Sequence, residues 1–317
     1  MGANEDFYYR QFFQLKVYKA SGDAFQHLFN QVMGYTHPGF QSITPWGNWG
    51  DGGNDGWIPD EGHYFQIYGP KPTTSAADSE TVALKKAIDD FDKLPKKWQD
   101  VRRYSFVMND RFQGIPAPIA SALQKLEKDK KLSQARGFPM TELMEFFMQL
   151  TLDKRQDIIG GIPPANVTFI DPREVSELLK SLADNADTHL TFLTDKAPNF
   201  DEKIEFNGLT DPVSTKLRAL SYQVLLIDEF LDKRDFGLRQ AIAQEIRDYY
   251  QQSKAAIPDD LQDAGNRRYF WLVEKLIPPS LTHPHSLGAY RAAAELVIAK
   301  YFETCDAYDH PDGSAPA

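Results

Sequence analysis

Apolar and polar positions alternate with two distinct periods along the chain, and the change between them divides it. Over 21–34, SGDAFQHLFNQVMG, the apolar residues Phe25, Leu28, Phe29 and Val32 fall at helical spacing. Ser21 or Asp23 is placed to cap this helix and Gly34 to end it. FQSIT (40–44), GWI (56–58) and HYFQIYG (63–69) read as short strands, the last two joined by the turn Pro59–Gly62. A helix is predicted over 75–94, ended by Pro95, then a buried-type strand RYSFVM (103–108). Two further helices follow, from IPAPIASALQKLEKDKK and from TELMEFFM within 141–150. The first half thus reads helix, strand, strand, strand, helix, strand, helix. GGIPPANV (160–167) reads as a boundary. Beyond it the pattern is helical. Pro172 opens one helix in its first turn, and 209–230 reads as a single long helix with Leu217, Leu220, Val224, Ile227 and Leu231 on one stripe. Helices over 236–250, 267–277 and 287–302 complete it. The expected fold is an α/β domain over 1–165, an all-α bundle over 166–310 and a disordered tail over 311–317.

Composition narrows the class. The 317 residues are 42% hydrophobic and 25% charged, as in soluble globular proteins. No apolar run approaches the roughly 20 residues that span a bilayer. MGANEDFYYR predicts no signal peptide, so a cytoplasmic, membrane-free location is expected. Cys305 is the one cysteine, which excludes an internal disulfide and a thiolate metal cage. The net charge of −10 is uneven. Residues 1–165 hold 19 Lys and Arg against 20 Asp and Glu, whereas 166–317 hold 16 against 25. Contact with a phosphate backbone therefore belongs to the first half, where Lys85, Lys86, Lys93, Lys96, Lys97, Arg102 and Arg103 are grouped; the same lysines would also make a solvated helix surface.

The candidate chemistry lies in 47–71. Asp51 and Asp55 flank Gly52-Gly53-Asn54. A carboxylate at the end of a strand pair is a good hard-oxygen ligand for Mg²⁺, which takes few protein carboxylates and keeps its waters. Such a metal neutralises phosphoryl charge and generates hydroxide in phosphodiester hydrolysis. The same residues are also those of a surface hairpin turn. Asn109-Asp110, after the RYSFVM strand, could line a cleft or cap a turn. The seven histidines form no metal spacing, and no GxxxxGK[ST] phosphate loop is present.

The succession helix, GGNDG turn (52–56), strand YFQIY (64–68) and lysine-bearing helix resembles the Mrr-like branch of the PD-(D/E)XK restriction endonucleases. In that family an Asp in a GGxDG turn is followed by a strand ending Gln-x-Lys. The resemblance implies a mixed sheet flanked by helices. It makes Asp55 the metal ligand, with Asp51 or Glu61 assisting, and Gln66 the residue replacing the second acid. Mg²⁺ or Mn²⁺ is the implied cofactor and double-stranded DNA the substrate. Two positions depart from the pattern. Gln26 stands where the first helix commonly carries Glu, and Tyr68 occupies the lysine slot. Lys71, three residues downstream, or Lys86 on the next helix would supply the missing charge, since the lysine migrates to a helix in some members.

Outside this core, YYRQFFQLKVYKASGDAFQHLF, FDEKIEFNGL (200–209), ALSYQVLLIDEFL and AAAELVIAKYFETCDAYDHP resemble effectors of the bacterial three-component ABC-ATPase conflict systems that include Lamassu. The resemblance implies an antiphage or antiplasmid role. Its partners would be an SMC-like ABC ATPase and a small middle component docking on the helical half, with self-association on activation as a further expectation. The leading expectation is a metal-dependent DNA endonuclease effector. The alternative is a catalytically inactive nuclease-fold subunit that binds DNA or scaffolds the complex.

Overall fold

The computed structural model describes residues 3–45, 51–71, 76–163, 172–185, 200–231, 236–281, 283–303 and 307–311. Cys305 and all of the expected tail but Pro311 lie outside them. The chain forms two compact units, Phe12–Ile159 and a second made of Met1–Gln11 with Gly160–Ala317. The division falls within the first helix, α1 (Ala3–Lys19).

The unit 12–159 is built on a five-stranded mixed sheet. After α2 (Gly22–Thr36) come β1 (Gln41–Ser42), β2 (Gly56–Ile58) and β3 (His63–Tyr68). They are followed by α3 (Ala76–Phe91), α4 (Leu94–Lys97) and β4 (Arg103–Met108). The unit ends with α5 (Ala117–Lys130), β5 (Gln134–Phe138), α6 (Met140–Gln149) and α7 (Leu152–Ile159). Spatial order equals chain order. The first three strands pair antiparallel, and β3, β4 and β5 pair parallel.

Two parallel crossovers in one direction put both connecting helices on one face, because such crossovers are right-handed. Tyr64, Tyr104, Phe106 and Met108 accordingly pack with Ala83, Ala87 and Phe91 of α3 and with Ile119, Leu123 and Leu126 of α5. The opposite face carries Phe65 and Phe138, whose rings lie 5.7 and 5.4 Å from Phe29 of α2. β3 is buried on both faces, and its near-continuous apolar run reflects this.

The helix read over 21–34 runs two residues beyond Gly34 and stops before Pro38, whose ring disfavours a helical residue ahead of it. Pro95 does not simply end α3. It sits in the first turn of α4, where its missing N–H costs nothing. β5 was not anticipated, because QARGF contains a glycine and no β-branched residue.

In the second unit, α8 (Pro172–Asn185), α9 (Phe200–Phe206), α10 (Val213–Ser221) and α11 (Leu225–Leu231) precede three long helices. These are α12 (Phe236–Ala256), α13 (Ala264–Leu276) and α14 (Pro284–Glu303). The single helix read over 209–230 is two, broken at 222–224, where Gln223 and Ile227 make i→i−3 backbone bonds. The two helices share the expected stripe: Leu217, Leu220, Val224, Ile227 and Leu231 are all buried. α14 is buried on all sides over 293–299, as befits a central helix, and touches α8, α10, α12 and α13. Its Glu295 is fully buried and meets Lys216 of α10 at 2.6 Å.

Candidate functional site at the β2–β3 junction

Asp55 enters β2 pinned on both sides. Its N–H donates to the Phe65 carbonyl, and its carbonyl accepts from the Ile43 N–H. The loop before it is closed by two side-chain turns. Asp51 Oδ1 accepts from the Gly53 N–H at 2.8 Å, and Asn54 Oδ1 from the Gly56 N–H at 3.0 Å. Gly52 and Gly53 have φ of +68° and +81°, a region that favours glycine. A Cβ on Gly53 would also lie 2.2 Å from the Asp90 carbonyl oxygen, so this loop is seated directly on the end of α3. The Trp98 indole N–H completes the seat, donating to the Asp51 carbonyl at 3.1 Å. The turn reading of DGGND is thus realised, and it serves to aim Asp55.

The Asp55 carboxylate points into a buried polar knot. Oδ2 accepts from Gln66 Nε2 at 2.6 Å and from the Ile67 N–H at 2.7 Å, and Oδ1 accepts from Gln26 Nε2 at 3.3 Å. Three elements, α2, β2 and β3, therefore meet at one acid. Since a carboxylate only accepts, both glutamines must turn their NH₂ toward it. Gln66 is 1% exposed, and its Oε1 is left buried without a hydrogen-bond partner. Burial pushes the Asp55 carboxyl up to about 6. The Ile67 N–H and the Lys86 charge oppose the rise, and Asp51 and Asp90 add to it.

Lys86 is half-buried on α3, next in sequence to the buried Ala87. Its ammonium binds Asp90 Oδ2 at 2.8 Å, and Lys93 binds the other oxygen, Oδ1, at 2.5 Å. Burial works against the charged Asp90, but hydrogen bonds from Lys86 and Lys93 outweigh it and hold this carboxyl below the usual range. Tyr68 is half-buried, its ring 6.3 Å from that of Phe106 and nearly parallel to it.

The other expected site residues lie elsewhere. Glu61 is exposed just before β3 and paired with Arg103 at 2.6 Å. Asp55 is bonded near the other end of that strand. Lys71 is exposed beyond β3 and forms no ion pair with a described residue. Asn109 Nδ2 donates to the carbonyls of Val17 and Ala20, and Asp110 accepts from the Phe112 N–H. Asn109 thus ties the end of β4 to the end of α1, and Asp110 closes the turn that follows. Asp90 and Lys93 are the charged neighbours that the sequence reading did not assign. The i, i+4 and i+3 spacing of Lys86, Asp90 and Lys93 was the available signal.

Among the described residues, no group of three or more His, Cys, Asp or Glu side chains is gathered. The oxygens that suit a hard cation are those of Asp55 and the unpartnered Gln66 Oε1. This donor set fits Mg²⁺, which needs only one or two protein carboxylates and retains several waters.

In comparison with known proteins, neither the curated proteins nor the solved structures provide a match. Residues 173–309 do match a family model, C-terminal domain 10 of the ABC-three component (ABC-3C) systems. The matched stretch takes in α8 to α14, apart from the first residue of α8, and supports membership of the chain in the ABC-3C defence systems.

Proposed function

We propose that the chain is the effector subunit of an ABC-3C defence complex, and that its α/β unit is a Mg²⁺-dependent DNA endonuclease of the Mrr-like PD-(D/E)XK type. The carrying observation is the meeting of Gln26, Asp55 and Gln66 where the chain enters β2 beside the central strand β3, with Lys86 on the helix that follows. These are the positions at which the resemblance implies the first-helix acid, the metal ligand, the second acid and a migrated lysine. The helix, three-strand meander, helix and parallel strand supply the matching order. The partners in this reading are an SMC-like ABC ATPase, which restrains the nuclease, and a small middle component.

Asp55 and Gln66 Oε1 would hold the metal, which supplies neutralisation of phosphoryl charge and a hydroxide nucleophile when bound. Gln26 and the Ile67 N–H orient the carboxylate. Lys86 lends positive charge to the scissile phosphate, and Tyr68 can donate one hydrogen bond there in place of the lysine. The test is cleavage of supercoiled and linear DNA by the purified chain with Mg²⁺ or Mn²⁺. Asp55→Asn is expected to reduce cleavage at least about 100-fold. Cleavage unchanged in that variant would overturn the assignment.

A second reading has its own support. The Asp55 carboxylate is already engaged by Gln26, Gln66 and the Ile67 N–H, and Lys86 is tied to Asp90. A nuclease fold that binds DNA without cutting it would look the same. Binding of duplex DNA with no cleavage under any divalent metal would favour it.

A further inference from the structure

We propose that Lys86 and Lys93, held together by Asp90, form a phosphate clamp beside Asp55 that grips the backbone of duplex DNA. This deepens the DNA-directed reading above and rests on it. Two ammonium groups seven residues apart on one helix and the turn after it would ordinarily repel and splay. Here one carboxylate, 9% exposed, takes one lysine on each oxygen. The lysine side chains remain 35% and 56% exposed, and each ammonium, anchored to Asp90 by one N–H, has two more to donate. That is the arrangement a phosphate needs: fixed positive charge with donors to spare, and little side-chain entropy left to lose on binding.

The clamp is coupled to the acid site by construction. Gly53 packs on the Asp90 carbonyl so closely that no Cβ fits. The charges of Lys86 and Asp90 are both felt at Asp55, and that of Asp51 is felt at Lys93. Gln66 Oε1, on the amide that donates to Asp55, is buried without a hydrogen-bond partner.

The role of Asp90 makes a prediction of unusual sign. If Asp90 were merely a surface acid, Asp90→Asn would remove a negative charge and tighten DNA binding. If it positions the lysines, the same change weakens binding although repulsion falls. Fluorescence anisotropy on a labelled duplex of about 20 base pairs, with the full chain in EDTA and at several salt concentrations, reads this directly. Lys86→Gln and Lys93→Gln are each expected to weaken binding about three- to tenfold and to lower the salt slope by about 1. Asp90→Asn is expected to weaken it, with Asp90→Glu recovering part of the loss. Thermal melting confirms that each variant is folded, and Lys93→Gln, at an exposed position, keeps the test open if Asp90→Asn unfolds. Tighter binding by folded Asp90→Asn, or an unchanged affinity and slope in Lys93→Gln, would overturn the clamp and leave the nuclease reading standing. Failure of the parent chain to bind duplex DNA would overturn both.

Discussion

His63 shows how a single side chain can tie stability to pH. It is buried, hydrogen-bonded to Ser105 at 2.8 Å, with its ring centroid 4.1 Å from that of Phe65. Burial first, then the charges of Arg103, Arg136 and His37, lower its pKa to about 3. The unfolded chain thus binds a proton below about pH 6.5 that the folded chain refuses. Its contribution is whole above that pH and is lost as pH falls toward 3. At pH 5 the loss is expected to approach about 2 kcal/mol. Urea unfolding at pH 7 and pH 5 checks this, and His63→Asn should show a flatter dependence. Gly53 is the second sensitive residue. Gly53→Ala meets both a φ of +81° and the Asp90 carbonyl, so a loss of about 1–3 kcal/mol is expected. A downward shift in urea midpoint would register it.

Among the elements, α1 is one that the sequence concealed. FYYRQFFQLKVYK is rich in aromatics that favour strands as readily as helices, and only packing decides between them. Phe13 stacks on Phe147 at 4.1 Å within the α/β unit. Tyr8 belongs to the other unit, where its ring is 5.3 Å from that of Phe270 and 4.6 Å from the Lys216 ammonium. A fragment beginning at Gly160 would therefore lack part of its own core. It should melt well below the same fragment with residues 1–11 supplied as a peptide, a difference visible by circular dichroism. β5 escaped for a related reason. Its glycine packs under Ile115, a Cβ there falling 2.8 Å from that side chain, and such a fit between distant segments leaves no local pattern. The interruption of 209–230 was equally hidden, since two short helices can present the same buried stripe as one long one.

The charge of the whole molecule sets the scale of any DNA contact. With a net charge of −10, and most of the excess beyond residue 165, the chain cannot coat a duplex electrostatically. A grip through two lysines implies a shallow salt dependence. The slope of log affinity against log salt is expected near about −2, since each phosphate neutralised contributes about −0.9. A slope of about −6 or steeper would mean a broad basic surface and contradict the two-lysine geometry.

The sequence by itself determined much at short range. The strand meander, the buried β3, the turn at 51–56, the helix after it and the helical second half all follow from hydrophobic period and turn chemistry. Asp55 was singled out by its turn, Gln66 by the resemblance of its strand to the endonuclease family, and Lys86 by helical spacing. Tertiary structure alone decided what those residues face. It brought Gln26 from α2 to Asp55, sent Glu61 to Arg103 at the other end of β3, and made Asp90 the shared anchor of two lysines. The physical reason is that a carboxylate's role depends on which charges and donors lie within a few ångströms of it. Between segments far apart in sequence, only the folded chain fixes those distances.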